Sequence, residues 1–457
     1  MKKVLISAAV STALLVGSAA VASAGAIELD GYLRTRGVID KANTAKDSAS
    51  NTYYDQKAAI GVKGKVSDEV TGYMRLETGT SNKDKYIWGG ETNAELQAGG
   101  YKNDDSSMRL VQAWIDYKPS FWGVKVGHQP LALGEKLFFD HTKYGDDAIN
   151  LYGDLAGTQF NLIGIKLQER QAYADGVATG SGNTNDVDAY VVNLSRVFGD
   201  SFTGGLNYTY LKGGTEDNNP ITNPFPGMRM SNLGFDGKFK FGALNVTADF
   251  EKQFGTLKDD GTGLANTALA AHKLDAQGYA YQLTGDYAMG NSSVGLLYAV
   301  GSGDDNPNDT NNDTFVDFLS DVPYQVYIPG YRAGVPGAFG LGNGDVNGND
   351  RFTGLSNLTV YQVNAKTETE FIKPLTLFGS LSYLQTTEDV NTNIGGTARM
   401  EDSLGTEIDL VATWKLTENL AYMVEAGYLF AGDAWKTAAN NDPDNMYFLR
   451  HGLSLSF

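Results

Sequence analysis

The 457 residues carry 36 Lys and Arg against 54 Asp and Glu, a formal net charge of −18, and no cysteine. A nucleic-acid face needs clustered cations, so no nucleic acid is expected as a partner. The absent thiols exclude a disulfide framework, Cys-ligated zinc, iron–sulfur clusters and covalent c-type haem.

The chain opens "MKKVLISAAVSTALLVGSAAVASAG". Lys2 and Lys3 form a positive n-region, Val4 to Val21 an apolar stretch, and Ala22-Ser23-Ala24 a small-residue cleavage signature, the pattern of a cleaved export signal over 1–24. Setting those two lysines aside leaves 34 basic against 54 acidic residues in 25–457, a net −20. No later apolar run approaches the ~20 residues of a spanning helix, and composition is uniform from end to end, so 25–457 reads as one domain.

Period-two patterning follows almost everywhere. In "AIELDGYLRTRGVI", Ile27, Leu29, Leu33 and Ile39 share one parity while Glu28, Asp30, Tyr32, Arg34 and Arg36 take the other. "ALNVTADFE" sets Leu244, Val246, Ala248 and Phe250 against Asn245, Thr247, Asp249 and Glu251, and "TEIDLVATWK" repeats the scheme from Ile408 to Trp414. One apolar and one charged face fit a sheet with oil on one side and water on the other.

The connections alternate in length. Eight are short: "VSDEV" (66–70), "KPSFW" (118–122), "GDLAG" (153–157), "FGDS" (198–201), "FGAL" (241–244), "MGNS" (289–292), "KPL" (373–375) and "LTEN" (416–419). Nine long polar stretches lie between them, the longest at 302–355. This predicts an all-β fold: a single transmembrane antiparallel β-barrel of about 18 strands, with short periplasmic turns and long extracellular loops, in the outer membrane of a Gram-negative bacterium. A soluble β-sandwich would share the alternation but not loops that are long on one side only. Aromatic residues on the apolar parity at strand ends, such as Phe202, Tyr208, Tyr422, Tyr428 and Phe430, suit interfacial girdles. Outer-membrane lipid and, through the terminal Phe457, the barrel-assembly machinery are the expected partners.

Several segments resemble alginate-export-type outer-membrane porins. "QAWIDYKPSFWGVKVGHQPLALGEKLFFDHTKYGDDAINL" (112–151) is similar to their strand–loop–strand signature, "GSGDDNPNDTNNDTFVDF" (301–318) to their acidic loop, and "LGTEIDLVATWKLTENL" (404–420) to their penultimate hairpin. The resemblance implies a barrel, passive transport and a monomer. His128 stands where the family commonly has Arg, and Leu131–Phe139 replaces an arginine-rich run, so alginate itself is not implied.

The expected function is passive diffusion of small polar or charged solutes and ions, with a barrel that sheathes or scaffolds a partner, such as a redox protein, as the alternative. Strand parity nominates a mixed-charge lumen: Glu28, Asp30, Arg34, Arg36, Lys63, Arg75, Asp116, Lys125, Lys366, Glu407, Asp409, Glu425 and Arg450. Barrel closure brings Arg450 beside Arg34 or Arg36, a basic ladder expected to face Glu407, Asp409 and Glu425 across the pore. The stretch 132–147 is a candidate constriction loop, with Lys136, Asp140, Lys143, Asp146 and Asp147 as contacts; a lid folded outward is equally compatible. Clustered carboxylates at Asp304, Asp305, Asp309 and Asp313 suggest Ca²⁺, although the spacing is not that of an EF-hand. No other cofactor is expected. No enzyme activity is expected either, because none of His128, His141, His272 and His451 stands at a spacing that demands a Ser or Asp partner.

Overall fold

A computed structural model of the chain describes residues 26–41, 50–78, 86–87, 108–142, 145–168, 173–174, 177–178, 186–213, 227–259, 273–306, 309–316, 354–371, 373–391, 400–436 and 442–457. The expected export signal, Lys143, His272 and most of the 302–355 loop lie outside the described residues.

Alternating sequence becomes 18 long antiparallel strands. They are β1 (Ile27–Lys41), β2 (Asn51–Lys65), β3 (Val70–Thr78), β4 (Met108–Tyr117), β5 (Trp122–Gln129), β6 (Asp146–Leu155), β7 (Thr158–Gln168), β8 (Val187–Phe198) and β9 (Phe202–Lys212). The second half comprises β10 (Arg229–Phe241), β11 (Leu244–Asp259), β12 (Tyr279–Met289), β13 (Ser292–Gly301), β14 (Leu358–Phe371), β15 (Lys373–Asn391), β16 (Met400–Lys415), β17 (Leu420–Ala431) and β18 (Met446–Ser456). Each pairs with its sequence neighbour, and β18 pairs with β1, which closes the sheet and removes its edges. All eight short connections fall where the sequence places them; Gly157, Gly199, Gly242 and Gly290 supply the positive φ that such tight turns need.

The outer face is an apolar belt. Leu29, Leu33, Ile60, Ile149, Leu162, Leu283, Leu296, Leu381, Leu410 and Leu453 are all exposed on the outward parity. Near the turns, Phe198, Phe202, Phe239 and Phe241 stack in series, with centroids 5.4, 4.6 and 6.2 Å apart. Toward the other rim Tyr279, Tyr281, Tyr298, Tyr361 and Tyr383 follow one another across four strands. These two bands bracket the belt as girdles do.

The seam is shut by the last residue. Gly31 and Phe457 exchange backbone hydrogen bonds of 2.9 and 3.1 Å. A Cβ on Gly31 would meet the Phe457 ring at 2.6 Å and the Ala59 carbonyl, so only glycine lets the terminal ring lie there. Deleting Phe457 should lower the yield of folded barrel, read as the heat-modifiable band on a gel, while surviving barrels keep their conductance. Outward on the same strand, His451 sits against Gly37 with its Nδ1 3.3 Å from the Tyr422 hydroxyl.

The molecule's apolar core lies inside the barrel, a departure from the simple oil-out, water-in expectation. Ile163, Ile165, Ala189, Val191, Leu211, Met230, Leu257, Leu297, Val360, Leu384, Leu404, Leu429 and Phe448 share the inward parity, all in the half nearer the long loops. They are covered by loops that fold into the mouth and contribute Leu133, Leu137, Phe138, Phe139, Phe315 and Trp435. Both faces of the wall are therefore apolar at that level, and the alternation in sequence weakens there accordingly.

Candidate functional site

Among the described residues, three segments enter the barrel from the long-loop end. The first follows β5. Gly134 (φ +52) and Lys136 (φ +70) turn it back on itself, and Ala132 and Asp140 pair across an isolated bridge. Its apolar residues Leu137, Phe138 and Phe139 are 1–3 % exposed. Its tip reaches the β10–β11 wall, where the Glu135 N–H donates to Asp249 Oδ2 at 2.9 Å and Lys238 Nζ pairs with Glu135 at 2.7 Å. The second segment, 302–316, is pinned by Gln253, which donates to the Val316 carbonyl at 2.8 Å and accepts from its N–H at 2.9 Å. Phe315 meets Phe138 edge-on at 6.1 Å. The third is the turn Asp433–Trp435, whose Trp435 indole donates to the Leu404 carbonyl at 2.9 Å.

The residues nominated for the constriction are divided by this geometry. Lys136 stays half-exposed and pairs with Asp140 at 3.2 Å. Asp140 is buried and accepts from the Thr142 N–H and hydroxyl at 3.1 and 2.6 Å, so it braces the loop instead of facing solute. Asp146 and Asp147 begin β6 and do not belong to the loop. Asp146 is buried against His141 at 2.7 Å. Asp147 takes the outward parity of Ile149 and pairs with His128 at 3.0 Å, which corrects its expected place in the pore. His128 and Asp147 escaped the sequence reading because strand register brings them together, whereas His141 and Asp146 are five residues apart and meet through the loop's return into β6. Glu135, which anchors the tip, was missed because its partner Asp249 is 114 residues away in sequence.

On the wall formed by β18, β1, β2 and β3, cations and carboxylates interleave. Arg36 forms a two-pronged pair with Asp55 at 2.9 and 2.7 Å, and Asp55 is fully buried. Lys57 pairs with Glu77 at 2.7 Å, and Arg75 with Asp30 at 3.0 Å and Glu77 at 3.2 Å. Arg450 pairs with Glu425 at 2.9 Å, and Lys63 with Glu28 at 3.1 Å nearer the turns. Arg34 shares the inward parity, facing Ser454 of β18 in register. Glu407 and Asp409 are buried on β16, where Ser380 donates to Asp409 at 3.2 Å. The expectation that Glu407, Asp409 and Glu425 oppose the arginines across the pore is corrected: β17 adjoins β18 and β16 adjoins β17, so these acids and the arginines share one side of the barrel. Inward acids on the far side of the barrel from β1 include Asp236 on β10 and Asp249 and Glu251 on β11. Asp116 accepts the Tyr152 hydroxyl at 2.7 Å, Lys125 lies over the Trp114 ring at 4.5 Å, and Lys366 pairs with Glu368 at 3.1 Å.

In the second loop one oxygen each of Asp304, Asp305 and Asp313 lies within 4.8 Å of the others. Asp309 is outside that group and caps the Asn311 N–H at 2.7 Å. Burial first, then repulsion from neighbouring carboxylates, raises the Asp304 and Asp313 pKa values above the ordinary carboxylate range. The hydrogen bonds of Asp304 and Asp309 are those of a turn-rich loop.

No family model matches the chain, and no curated protein is similar to it in sequence. Solved structures are similar to it over nearly their whole length. OccAB1 of Acinetobacter baumannii has 12% identity, covers 94% of this chain and 97% of its own, and gives a TM-score of 0.55. OpdQ of Pseudomonas aeruginosa has 11% identity, with 94% and 98% covered and a TM-score of 0.54. OccK11 (OpdR) of the same organism has 12% identity, with 94% and 96% covered and a TM-score of 0.53. These neighbours are outer-membrane porins, and the likeness is one of fold.

Proposed function

We propose that the chain is an outer-membrane porin that lets small polar solutes diffuse passively through a lumen narrowed by its first inward loop. The observation that carries this is the closed 18-strand barrel whose own loop, anchored by Glu135 to Asp249, crosses the interior. Outside is a belt that only lipid can cover; inside, the half nearer the turns keeps charged and hydroxylated side chains in contact with water. A sheath around a partner protein would need a wide bore, whereas here the outer half is narrowed by the chain's own inward segments. The alginate-export resemblance supports the barrel and adds no narrower solute class.

Pure protein in planar bilayers should give stable ionic steps; a silent bilayer would overturn the reading. The interleaved cations of β1 and β18 suit a field that discriminates between ions. Arg34→Ala combined with Arg450→Ala should move the reversal potential under a salt gradient toward cation preference, because a cation is lost from each strand while Glu425 stays. An unchanged potential would remove both residues from the selective section.

A further inference from the structure

The outward aromatic residues are accounted for by the two girdles, but other rings face inward, and four of these lie near one another on the turn side. Tyr32 (β1), Tyr73 (β3), Trp114 (β4) and Tyr152 (β6) take the inward parity in the periplasmic half of their strands and are half-buried. Water-facing rings inside a pore forgo burial, so they call for a reason. Tyr73 and Trp114 are register partners with centroids 5.5 Å apart. Arg75 lies 5.4 Å from the Tyr32 centroid, and Lys125 4.5 Å from that of Trp114. Two glycines bed the rings against the wall: a Cβ on Gly61 would strike the Tyr73 hydroxyl, and one on Gly123 would meet the Tyr152 ring at 2.7 Å.

The arc continues into a hollow. Tyr32 is the register partner of Ser456, and Ser456 lines a cavity of about 430 Å³ with Ser454, Thr376, Thr413, Glu368 and Lys415. Asp30 is held by Arg75 and the Tyr73 hydroxyl, Asp116 accepts from the Tyr152 hydroxyl, and Lys415 and Glu418 bring one charge of each sign to the hollow. The set on offer is aromatic rings, each of Tyr32, Trp114 and Tyr152 with a cation over one face, a row of hydroxyls and charges of both signs in balance. A solute matched to that set has a weakly polar ring face, a rim of hydroxyls and no net charge.

We propose that this arc and hollow form one subsite for neutral oligosaccharide, with pyranose faces stacked on Trp114 and its neighbours and sugar hydroxyls bonded to the Ser and Thr wall. The inference rests on the reading of the lumen as a solute path, and the two fail differently. Calorimetry with maltohexaose on the detergent-solubilised barrel reads the subsite without requiring conduction. Binding is expected in the wild type, about tenfold or more weaker in Trp114→Ala and Tyr152→Ala, and retained in Trp114→Phe, with each variant checked for heat-modifiable folding. No binding by the folded wild type, unchanged binding by Trp114→Ala, or displacement of the sugar by benzoate would overturn the subsite. In bilayers, maltohexaose should interrupt the open current of the wild type and not of Trp114→Ala. Binding without ionic steps sinks the pore and keeps the subsite; steps that the sugar never interrupts, with no binding in detergent, sink the subsite and keep the pore.

Discussion

Removing residues 133–139 and joining Ala132 to Asp140 through a pair of glycines should raise single-channel conductance severalfold. Ala132 and Asp140 already pair across a bridge, so the shortened connection spans no new distance. What leaves is the part of the loop that reaches the far wall, including Glu135 and its contacts with Asp249 and Lys238. The change also uncovers Ile163, Ile165 and Val191. It deletes four nearly buried apolar side chains, Leu133, Leu137, Phe138 and Phe139, each contributing about 1.5–3 kcal/mol through burial. A lower denaturation midpoint with wider steps is therefore the expected pair of outcomes. Unchanged conductance in a folded barrel would show that the narrow section lies elsewhere. Phe138→Ala separates the two effects: it should cost about 3 kcal/mol or more as a cavity while the anchored tip keeps conductance near the wild-type value.

The second large effect is at Arg36. Replacing it with Met leaves Asp55, fully buried, without the two-pronged partner that holds it at 2.9 and 2.7 Å. Breaking such a pair from one side costs about 3–5 kcal/mol because a charge is stranded away from water. Chemical unfolding in detergent should show that loss, and Arg36→Met with Asp55→Leu should recover most of it, since removing both charges removes the stranded one. If the double variant is no more stable than the single, Asp55 is hydrated from the lumen and the pair is not a stabilising feature.

Architecture was legible in the sequence because its signals are local. Alternation, tight turns and loop-length asymmetry each need only neighbouring residues, and all eight turns and the seam at Phe457 fall where those signals put them. Parity also places Arg34, Arg36, Arg75 and Arg450 on the inward face. The arrangement around the circumference was less accessible. That Glu425 flanks Arg450 follows from register, Glu425 opposite Arg450, and parity alone says nothing of which wall a residue occupies. The partners of Glu135 and Gln253 are more than sixty residues away in sequence, beyond any pattern in the chain. The apolar interior was hidden differently: in "VDAYVV" (187–192) both parities are apolar, which reads as a weak strand until a loop is known to cover its inner side.

That covered inner side inverts the usual substitution rules of a membrane barrel over half its height. Outward positions such as Tyr190 and Val192 are exposed on the apolar belt, so any apolar residue should serve, and sequences there are free to drift. Ala189 and Val191, one residue away and facing the loops, are 0 and 2 % exposed and must fit a fixed neighbour, so changes in size there should be rejected. In the turn-side half the bore is wet, and inward positions outside the aromatic arc and the ion pairs regain their freedom. A saturation library scored for folded barrel should therefore show tolerance switching faces midway along β7 to β9, a record of where the chain packs like a soluble protein.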